Sequence, residues 1–178
     1  LLERMTGDAA LTGRTVDIGV IGSTAANQFG LRGPMARASG LNTDMRLNSP
    51  YAAYANLALS EIVEEGGDVY ARILVLLLEA YESVKLVEQA LHDLPGGKWA
   101  GSYPQELLSG QAHAFVEAPR GMLHYTLESD ARRITRVTID PPRQLDRLLA
   151  RALFIGASLD NLMLITLSID ACLTCAEC

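Results

Sequence analysis

The feature that most constrains the fold is an apolar pattern that runs from residue 69 to residue 91. Apolar residues recur there at intervals of three and four, the spacing of one face of an α-helix. The pattern consists of Val69, Ile73, Leu76, Leu77, Ala80, Val84, Val87 and Leu91. Asp68 is well placed as the N-cap, and the sequence Leu-Pro-Gly-Gly at 94–97 ends the helix. Because Leu74, Val75 and Leu78 add apolar residues on other faces, we expect the middle of a central bundle helix, enclosed on most sides.

The pattern changes to alternating and β-rich between Gly110 and Pro141. We predict a small antiparallel sheet there, with strands at 114–117, 122–127 and 134–139. Helical spacing returns at 144–153, and a second apolar helix at 157–167 leads into the C-terminal cysteines. The predicted fold is therefore mainly α with a small antiparallel β-sheet (α+β). We find no repeat and no linker, so residues 1–178 form one unit without an internal boundary.

Composition and charge exclude several classes of function. Hydrophobic residues make up 49% of the chain, which is enough for a sizeable core. The net charge of -6 gives no electrostatic footprint for nucleic acid. The longest unbroken apolar run, residues 73–78, is far shorter than the ~20 residues of a membrane span. The chain opens on Leu1 without an initiator Met, and we interpret it as a fragment or as one product of a split gene.

All three cysteines lie at the C-terminal end, at Cys172, Cys175 and Cys178. A disulfide framework would distribute cysteines along the chain, whereas an isolated Cys-x-x-Cys is typical of metal binding or redox chemistry. On this motif alone, half of a zinc site or a reducible dithiol is a better interpretation than any other. We expect a reducing compartment.

Three segments together resemble the large-subunit family shared by nickel-iron hydrogenases and the quinone-site subunit of respiratory complex I. The first is residues 30–40 (GLRGPMARASG), followed by DMR at 44–46 and PY at 50–51. The second is residues 67–72 (GDVYAR), and the third is residues 117–121 (EAPRG) with His124-Tyr125 in the next strand. The resemblance covers nearly the whole chain and implies the long-helix bundle of that family. The internal segments are most similar to energy-converting, membrane-associated hydrogenases.

The C-terminus of this family distinguishes hydrogenases, which end in Asp-Pro-Cys-x-x-Cys, from complex I subunits, which lack the cysteine pair. Here Asp170 and both cysteines match, while Ala171 replaces the proline. The resemblance implies that Cys172 is a terminal nickel ligand and that Cys175 bridges nickel and iron. Arg120 resembles the arginine above the open coordination position, and Asp170 resembles the acidic residue that holds it; we expect both to be catalytic. The two thiols should face one interior pocket, which Arg120 approaches from the sheet.

The resemblance also implies partners and a location. The other half of the ligand set comes from an earlier Cys-x-x-Cys in the N-terminal half of the large subunit, which this chain does not contain. Iron-sulfur clusters belong to a partner small subunit, because three cysteines in one short tail cannot hold a cluster in addition to nickel. We expect reversible cleavage of hydrogen, association with membrane-arm subunits, and a cytoplasmic position on the inner face of the cell membrane.

Two alternatives stay open. The first is a metal-free, quinone-docking subunit of a complex I-like assembly, and the second is a zinc-stabilised structural module. Glu117 and His124 flank the Arg120 turn and are left outside the catalytic set, because such residues on a small sheet are usually structural. We interpret Arg37 as a residue that ties down the Gly33-Pro34 turn. We expect Cys178 to be a processed C-terminus, the alternative being a truncated, frayed tail.

Overall fold

The structure is a computed structural model that describes residues 2–98, 100–102, 108–142 and 147–170. Five short helices occupy the first part of the chain, and a single 3-10 turn, Tyr54–Asn56, lies in the irregular stretch before the longest helix. The short helices are α1 (Leu2–Thr6), α2 (Ala9–Thr15), α3 (Ser23–Gln28), α4 (Gly33–Arg37) and α5 (Met45–Asn48). The remaining elements are α6 (Val69–His92), β1 (Gly110–Ala118), β2 (Gly121–Asp130), β3 (Arg133–Asp140), α7 (Arg147–Phe154) and α8 (Leu159–Ile169).

The long helix α6 begins and ends where the sequence pattern predicts. The side chain of Asp68 accepts a hydrogen bond from the backbone N–H of Ala71 at 2.7 Å, which makes it the expected N-cap. The first turns of α6 are buried against α4 and α8. The expected enclosure extends only that far, since Val84, Val87 and Leu91 are 58–68% exposed. The described residues of this chain leave one side of the C-terminal half of α6 uncovered.

The three predicted strands form one antiparallel sheet in the order β1-β2-β3. Each strand is longer than its alternating core, because backbone pairing continues beyond the apolar residues into polar ends. Ala118 pairs with Gly121, so Pro119 and Arg120 form a two-residue turn between β1 and β2. The predicted fold class, mainly α with a small antiparallel sheet, is confirmed.

The main core lies where α3, α4, α7 and α8 meet the start of α6. Its buried members are Ile21, Ala26, Leu31, Met35, Ala36, Val69, Leu149, Leu153, Ile165 and Ile169. Burial of the larger aliphatic side chains among them, each worth about 1.5–3 kcal/mol, fixes the C-terminal end of α8 against the body. The end of α8 is therefore positioned before the cysteines begin. Among the described residues, no helix combines the length and hydropathy needed to cross a membrane.

Candidate functional site

The turn between β1 and β2 is fixed by a close backbone approach to the start of α4. Gly33 adopts φ +62°, and a Cβ built there would lie 2.6 Å from the carbonyl carbon and oxygen of Arg120. Gly121 has φ +122°, and its own Cβ would lie 2.9 Å from the backbone nitrogen of Gly33. Only glycine allows this approach at both positions. The Gly33-Pro34 and Arg120-Gly121 segments, distant in sequence, thus form one contact that places Arg120.

Arg120 reaches the C-terminal end of α8, where it meets Asp170. Its Nε donates to the backbone carbonyl oxygen of Asp170 at 2.6 Å, and its Nη2 lies 3.2 Å from the Asp170 Oδ1. The Nε is also 3.1 Å from Oδ2, with the two side chains 36% and 51% exposed. Asp170 adopts the left-handed conformation (φ 51°, ψ 38°), which Asp tolerates better than most residues. This conformation ends the helix and allows both carbonyl and carboxylate to accept from the guanidinium.

A buried ionic cluster lies on the other side of the turn. Arg37 is 2% exposed, and its Nε donates to Glu79 at 2.6 Å while its Nη1 donates to Glu117 at 2.9 Å. The backbone N–H of Glu117 in turn donates to the hydroxyl oxygen of Tyr51 at 2.9 Å. Arg37 therefore ties α4, α6 and the end of β1 together.

The electrostatics of this cluster follow from burial and pairing. Burial alone would lower the pKa of Arg37, but hydrogen bonds and charges from Glu79 and Glu117 outweigh it and raise the pKa. Burial raises the pKa of Glu117 more than the hydrogen bond and charge of Arg37 lower it, so the pKa of Glu117 is raised as well. Removing one member of such a buried set leaves an uncompensated charge, which is far costlier than losing a surface pair.

A second buried arginine, Arg72, lies behind the Arg120–Asp170 contact. Its Nε donates to the Ser168 hydroxyl at 2.9 Å, and its Nη1 donates to the carbonyl oxygens of Gly19 and Gly67 at 3.0 and 2.7 Å. Its Nη2 is buried and has no hydrogen-bond partner among the described residues. Burial lowers the pKa of Arg72 to about 10, with only a partial offset from the charge of Asp68.

A pocket of about 10 Å³, enough for one water molecule, opens between these groups. It is lined by Pro34, Met35, Arg72, Leu76, Pro119, Arg120, Ser168, Ile169 and Asp170. The structure thus brings two of the predicted site residues, Arg120 and Asp170, into contact at one pocket. Cys172, Cys175 and Cys178 lie outside the described residues, so the convergence of Cys172 and Cys175 on this pocket and the processed terminus at Cys178 stay predictions.

Sequence reasoning assigned only minor roles to several residues that build the site. Glu117, which the sequence analysis leaves outside the catalytic set, anchors the Arg120 turn through Arg37. Arg72 carried a signal that could have been used, because it lies three residues from both Val69 and Val75 on the buried face of α6. A charged residue on a core face predicts a buried polar site. His124 lies on β2, where its ring nitrogen is close to His113 and Thr126.

The fit of this chain to a nickel-iron centre depends on the chemistry of its donor groups. Among the described residues, no group of three His, Cys, Asp or Glu side chains is close enough to share a metal. The predicted ligands are the C-terminal cysteines, which lie outside the described residues, and the softness of thiolates suits nickel and iron. The unpartnered Nη2 of Arg72 and the guanidinium of Arg120 give the pocket the polarity that a negatively charged thiolate-bound group requires. The described residues of the pocket are therefore compatible with such a group, while its ligands stay a prediction.

Two known proteins are similar to this chain over most of its length. The carbon monoxide-induced hydrogenase of Rhodospirillum rubrum is 35% identical over 169 residues, covering 94% of this chain and 47% of that protein. An NADH-quinone oxidoreductase subunit from Dehalococcoides mccartyi is 34% identical over 160 residues, covering 88% of this chain and 44% of that protein. The chain thus spans about half the length of the curated relatives it matches.

A solved structure shares the fold. The membrane-bound sulfane sulfur reductase, an archaeal respiratory membrane complex, contains a chain that superposes with a TM-score of 0.86 at 29% identity. The match covers 96% of this chain and 48% of that chain. These relatives are subunits of oxidoreductase complexes. The sequence profile of the respiratory-chain NADH dehydrogenase 49 kDa subunit matches residues 2–108, and the chain therefore belongs to that family, in which complex I and hydrogenase subunits are related.

Proposed function

We propose that this chain is the C-terminal part of the large subunit of a nickel-iron hydrogenase, and that Cys172 and Cys175 supply half of the thiolate ligands. The observation that carries the proposal is the contact between Arg120 and Asp170, which are 50 residues apart in sequence. It places a guanidinium and a carboxylate at the helix end that leads directly into Cys172. The similarity to the carbon monoxide-induced hydrogenase supports the same function.

The reaction would be the reversible conversion of hydrogen into two protons and two electrons. When bound, the nickel-iron centre would supply the Lewis acidity and the electron acceptor that heterolytic cleavage of hydrogen needs. A guanidinium is a poor base, so the role proposed for Arg120 is to orient the small molecule at the pocket rather than to remove a proton. Asp170 fixes the guanidinium by a charge-assisted hydrogen bond and, at 51% exposure, offers a carboxylate from which a proton can reach solvent.

This function requires other protein parts. The N-terminal half of the large subunit would supply the second Cys-x-x-Cys, and a small subunit would hold the iron-sulfur clusters that take up the electrons. Membrane-arm subunits would hold the assembly at the inner face of the cell membrane. The relatives in a respiratory membrane complex and in NADH-quinone oxidoreductases support such an assembly.

A second candidate is a metal-free, quinone-docking subunit of a complex I-like assembly. It is favoured by the family profile, whose match ends at residue 108, before Arg120 and the cysteines. The similarity to the NADH-quinone oxidoreductase subunit from Dehalococcoides mccartyi also supports it. On this alternative, the cysteine pair is vestigial and the complex contains no nickel.

The decisive experiment is metal analysis of the complex purified from its native host. The hydrogenase proposal predicts near-stoichiometric nickel, and Cys172→Ser or Cys175→Ser should remove both nickel and hydrogen turnover, because a hydroxyl is a poor substitute for a soft thiolate. A complex without nickel that still reduces quinone would establish the second candidate. Zinc in place of nickel would instead identify a structural zinc module.

The variant Arg120→Lys distinguishes a role of Arg120 in hydrogen turnover from a role in building the nickel site. Lys keeps the charge but loses the planar fork that spans the carbonyl and carboxylate of Asp170. We expect hydrogen turnover to fall by about a hundredfold, with the nickel content nearly unchanged. Arg136→Lys on β3, where the side chain is 70% exposed, is the matched control and should leave turnover unchanged. Loss of nickel in Arg120→Lys would show that the arginine supports the structure instead.

A further inference from the structure

Two histidines and a threonine meet on one face of the β1–β2 hairpin, apart from the Arg120 pocket. In the strand register His113 lies opposite Thr126, and Phe115 lies opposite His124. The three polar side chains therefore project from the same face of the sheet. His113 Nδ1 is 3.2 Å from His124 Nε2 and 3.1 Å from the Thr126 hydroxyl, which is itself 3.3 Å from His124 Nε2.

These distances describe a nearly equilateral triangle of nitrogen, nitrogen and oxygen donors. Zinc binds imidazole nitrogen at about 2.0–2.1 Å, so two ligands of a tetrahedral ion lie about 3.3 Å apart. An octahedral divalent ion with similar bond lengths would separate neighbouring ligands by about 3.0 Å. The three distances between the donor atoms, 3.1, 3.2 and 3.3 Å, lie between these two ligand separations. We propose that His113, His124 and Thr126 form a binding site for a divalent transition metal ion of the zinc class.

The environment holds the ligands in place and favours a cation. Phe115 stacks on the His124 ring with centroids 4.1 Å apart and an interplanar angle of 6°, which fixes the plane of the imidazole. The His113 and His124 rings are themselves nearly parallel, at 22° and 5.4 Å. Asp140 lies opposite His124 in the β2–β3 register and projects from the same face, where it adds a negative charge.

The donor set determines what the ion needs from solvent. Two imidazoles and one hydroxyl provide three contacts, of which only the imidazoles are strong ligands, so water completes the coordination. Such a site binds more weakly than a closed structural zinc site. It connects β1 to β2 near the middle of the hairpin, and an ion bound there would stabilise the sheet against strand separation.

Hydrogen bonding alone is the competing explanation of the cluster. The two ring nitrogens can share one proton, and the Thr126 hydroxyl can donate to either nitrogen, which would account for the distances without a metal. The two explanations differ in a measurable way. A purely hydrogen-bonded cluster has no measurable affinity for zinc that depends on both histidines.

The test is a zinc titration of the full 178-residue chain in which Cys172, Cys175 and Cys178 are replaced by Ser. This background removes thiolate binding, so the result is independent of the proposed hydrogen chemistry. We expect about one equivalent of Zn²⁺ to bind, and His113→Gln or His124→Gln to weaken binding by roughly tenfold or more. Thr126→Val should weaken it less, since the hydroxyl is the poorest ligand. X-ray absorption of the zinc-loaded protein should detect imidazole ligands.

The third histidine of the chain provides the matched control. His92 lies at the end of α6, where its Nδ1 is 2.8 Å from Asp93 Oδ1, and it is 88% exposed. His92→Gln should bind zinc as the cysteine-free parent does. Equal binding by His113→Gln, His124→Gln and the parent would overturn the proposal, as would an equal loss in His92→Gln. Because His113 is exposed, its replacement leaves the fold intact and keeps the test valid if His124→Gln fails to fold.

Discussion

At its turn the β1–β2 hairpin packs against the helical body, whereas at its open end the strands contact mainly each other and the loop before them. The turn end meets Gly33 through backbone contact, and Glu117 beside it is 3% exposed and paired with Arg37. The open end, where Gly110 pairs with Ser129, is held by local bonds such as Ser129 Oγ to the carbonyl oxygen of Leu108. Every residue of β3 is exposed.

The contrast shows which part of the sheet has a fixed position. Arg120 stands at the anchored end, so its guanidinium is held at the end of α8 by the same contacts that stabilise the fold. One face of the sheet, opposite the face that carries His113 and His124, is apolar. Its side chains are between 37% and 53% exposed and belong to Val116, Tyr125, Leu127, Val137 and Ile139. The described residues therefore leave that face only partly covered. Substitutions at the two ends should therefore differ sharply in their effects.

The largest expected effect is that of Arg37→Met. This substitution leaves Glu79 and Glu117 buried without their cation, and breaking a buried ionic set costs about 3–5 kcal/mol. The matched control is Arg136→Met at the open end, where the arginine Nε is 3.8 Å from Glu128 and both groups are well exposed. Surface pairs of this kind contribute at most about 1 kcal/mol. Chemical denaturation of both variants measures the difference.

A smaller loss of stability in Arg37→Met than in Arg136→Met would contradict the proposed difference between the two ends of the hairpin. If Arg37→Met unfolds at the same denaturant concentration as the parent protein, the buried cluster does not anchor the hairpin. An intermediate case can be resolved with the double variant Arg37→Met, Glu117→Gln. Removal of the second charge should restore part of the lost stability, because it eliminates an uncompensated buried carboxylate.

Gly33→Ala should have the next largest effect. The new Cβ would require the backbone of Arg120 and Gly121 to move, in addition to the conformational strain of a positive φ. Gly30→Ala is an unusually close control, because Gly30 has the same φ of +62° but open space within 4 Å of its Cβ position. We expect a loss of about 1 kcal/mol at Gly30 and about 2–3 kcal/mol at Gly33.

The same pair of glycine variants separates stability from positioning. In the complex, Gly33→Ala should lower hydrogen turnover beyond its effect on stability, because it displaces the turn that carries Arg120. Gly30→Ala should retain turnover. Equal stability losses in the two variants would mean that the contact between Gly33 and the turn is not tight.

The elements of the fold could be predicted from local sequence, since periodicity, an N-cap and Gly-Pro punctuation determine α6 and the three strands. The cluster around Arg37 could not, because its partners lie 42 and 80 residues away in sequence. Nothing local distinguishes Glu79, in the middle of an apolar helix, from a solvated residue. The meeting of Arg120 and Asp170 was expected only from a family resemblance, and spacing alone gave no reason for it.

Exposure on α6 shows a second limit of sequence patterns. Apolar periodicity indicates which faces a helix can bury, but the pattern does not say which element covers each face. Val84, Val87 and Leu91 continue the pattern that Val69 begins. In the described residues only the N-terminal part of this stripe is covered, by α4 and α8. The sequence therefore predicted the helix correctly and overestimated its enclosure within this chain.

The smallest expected effect concerns the acid stability of the anchored end, where two neighbouring carboxyl groups respond in opposite directions. Burial alone would raise the pKa of Asp44, but the hydrogen bonds and charge of Arg46 outweigh it and lower the pKa. Asp44 therefore contributes stability above its unfolded pKa, and this contribution is lost as the pH falls through the lower folded value. Glu117 has a raised pKa, so acidification through that value favours the folded state.

The two groups can be separated by the slope of stability against pH rather than by stability itself. Asp44→Asn should make the acid-side decline shallower, because the folded state no longer loses the benefit of an ionised Asp44. Glu117→Gln should make the decline steeper, because the protonation that favours folding is removed. We expect both changes of slope between about pH 6 and about pH 3, the range in which carboxyl groups change protonation. Denaturation curves recorded across this range measure both slopes, and slopes that change in the same direction would contradict the assignment of a lowered pKa to one group and a raised pKa to the other.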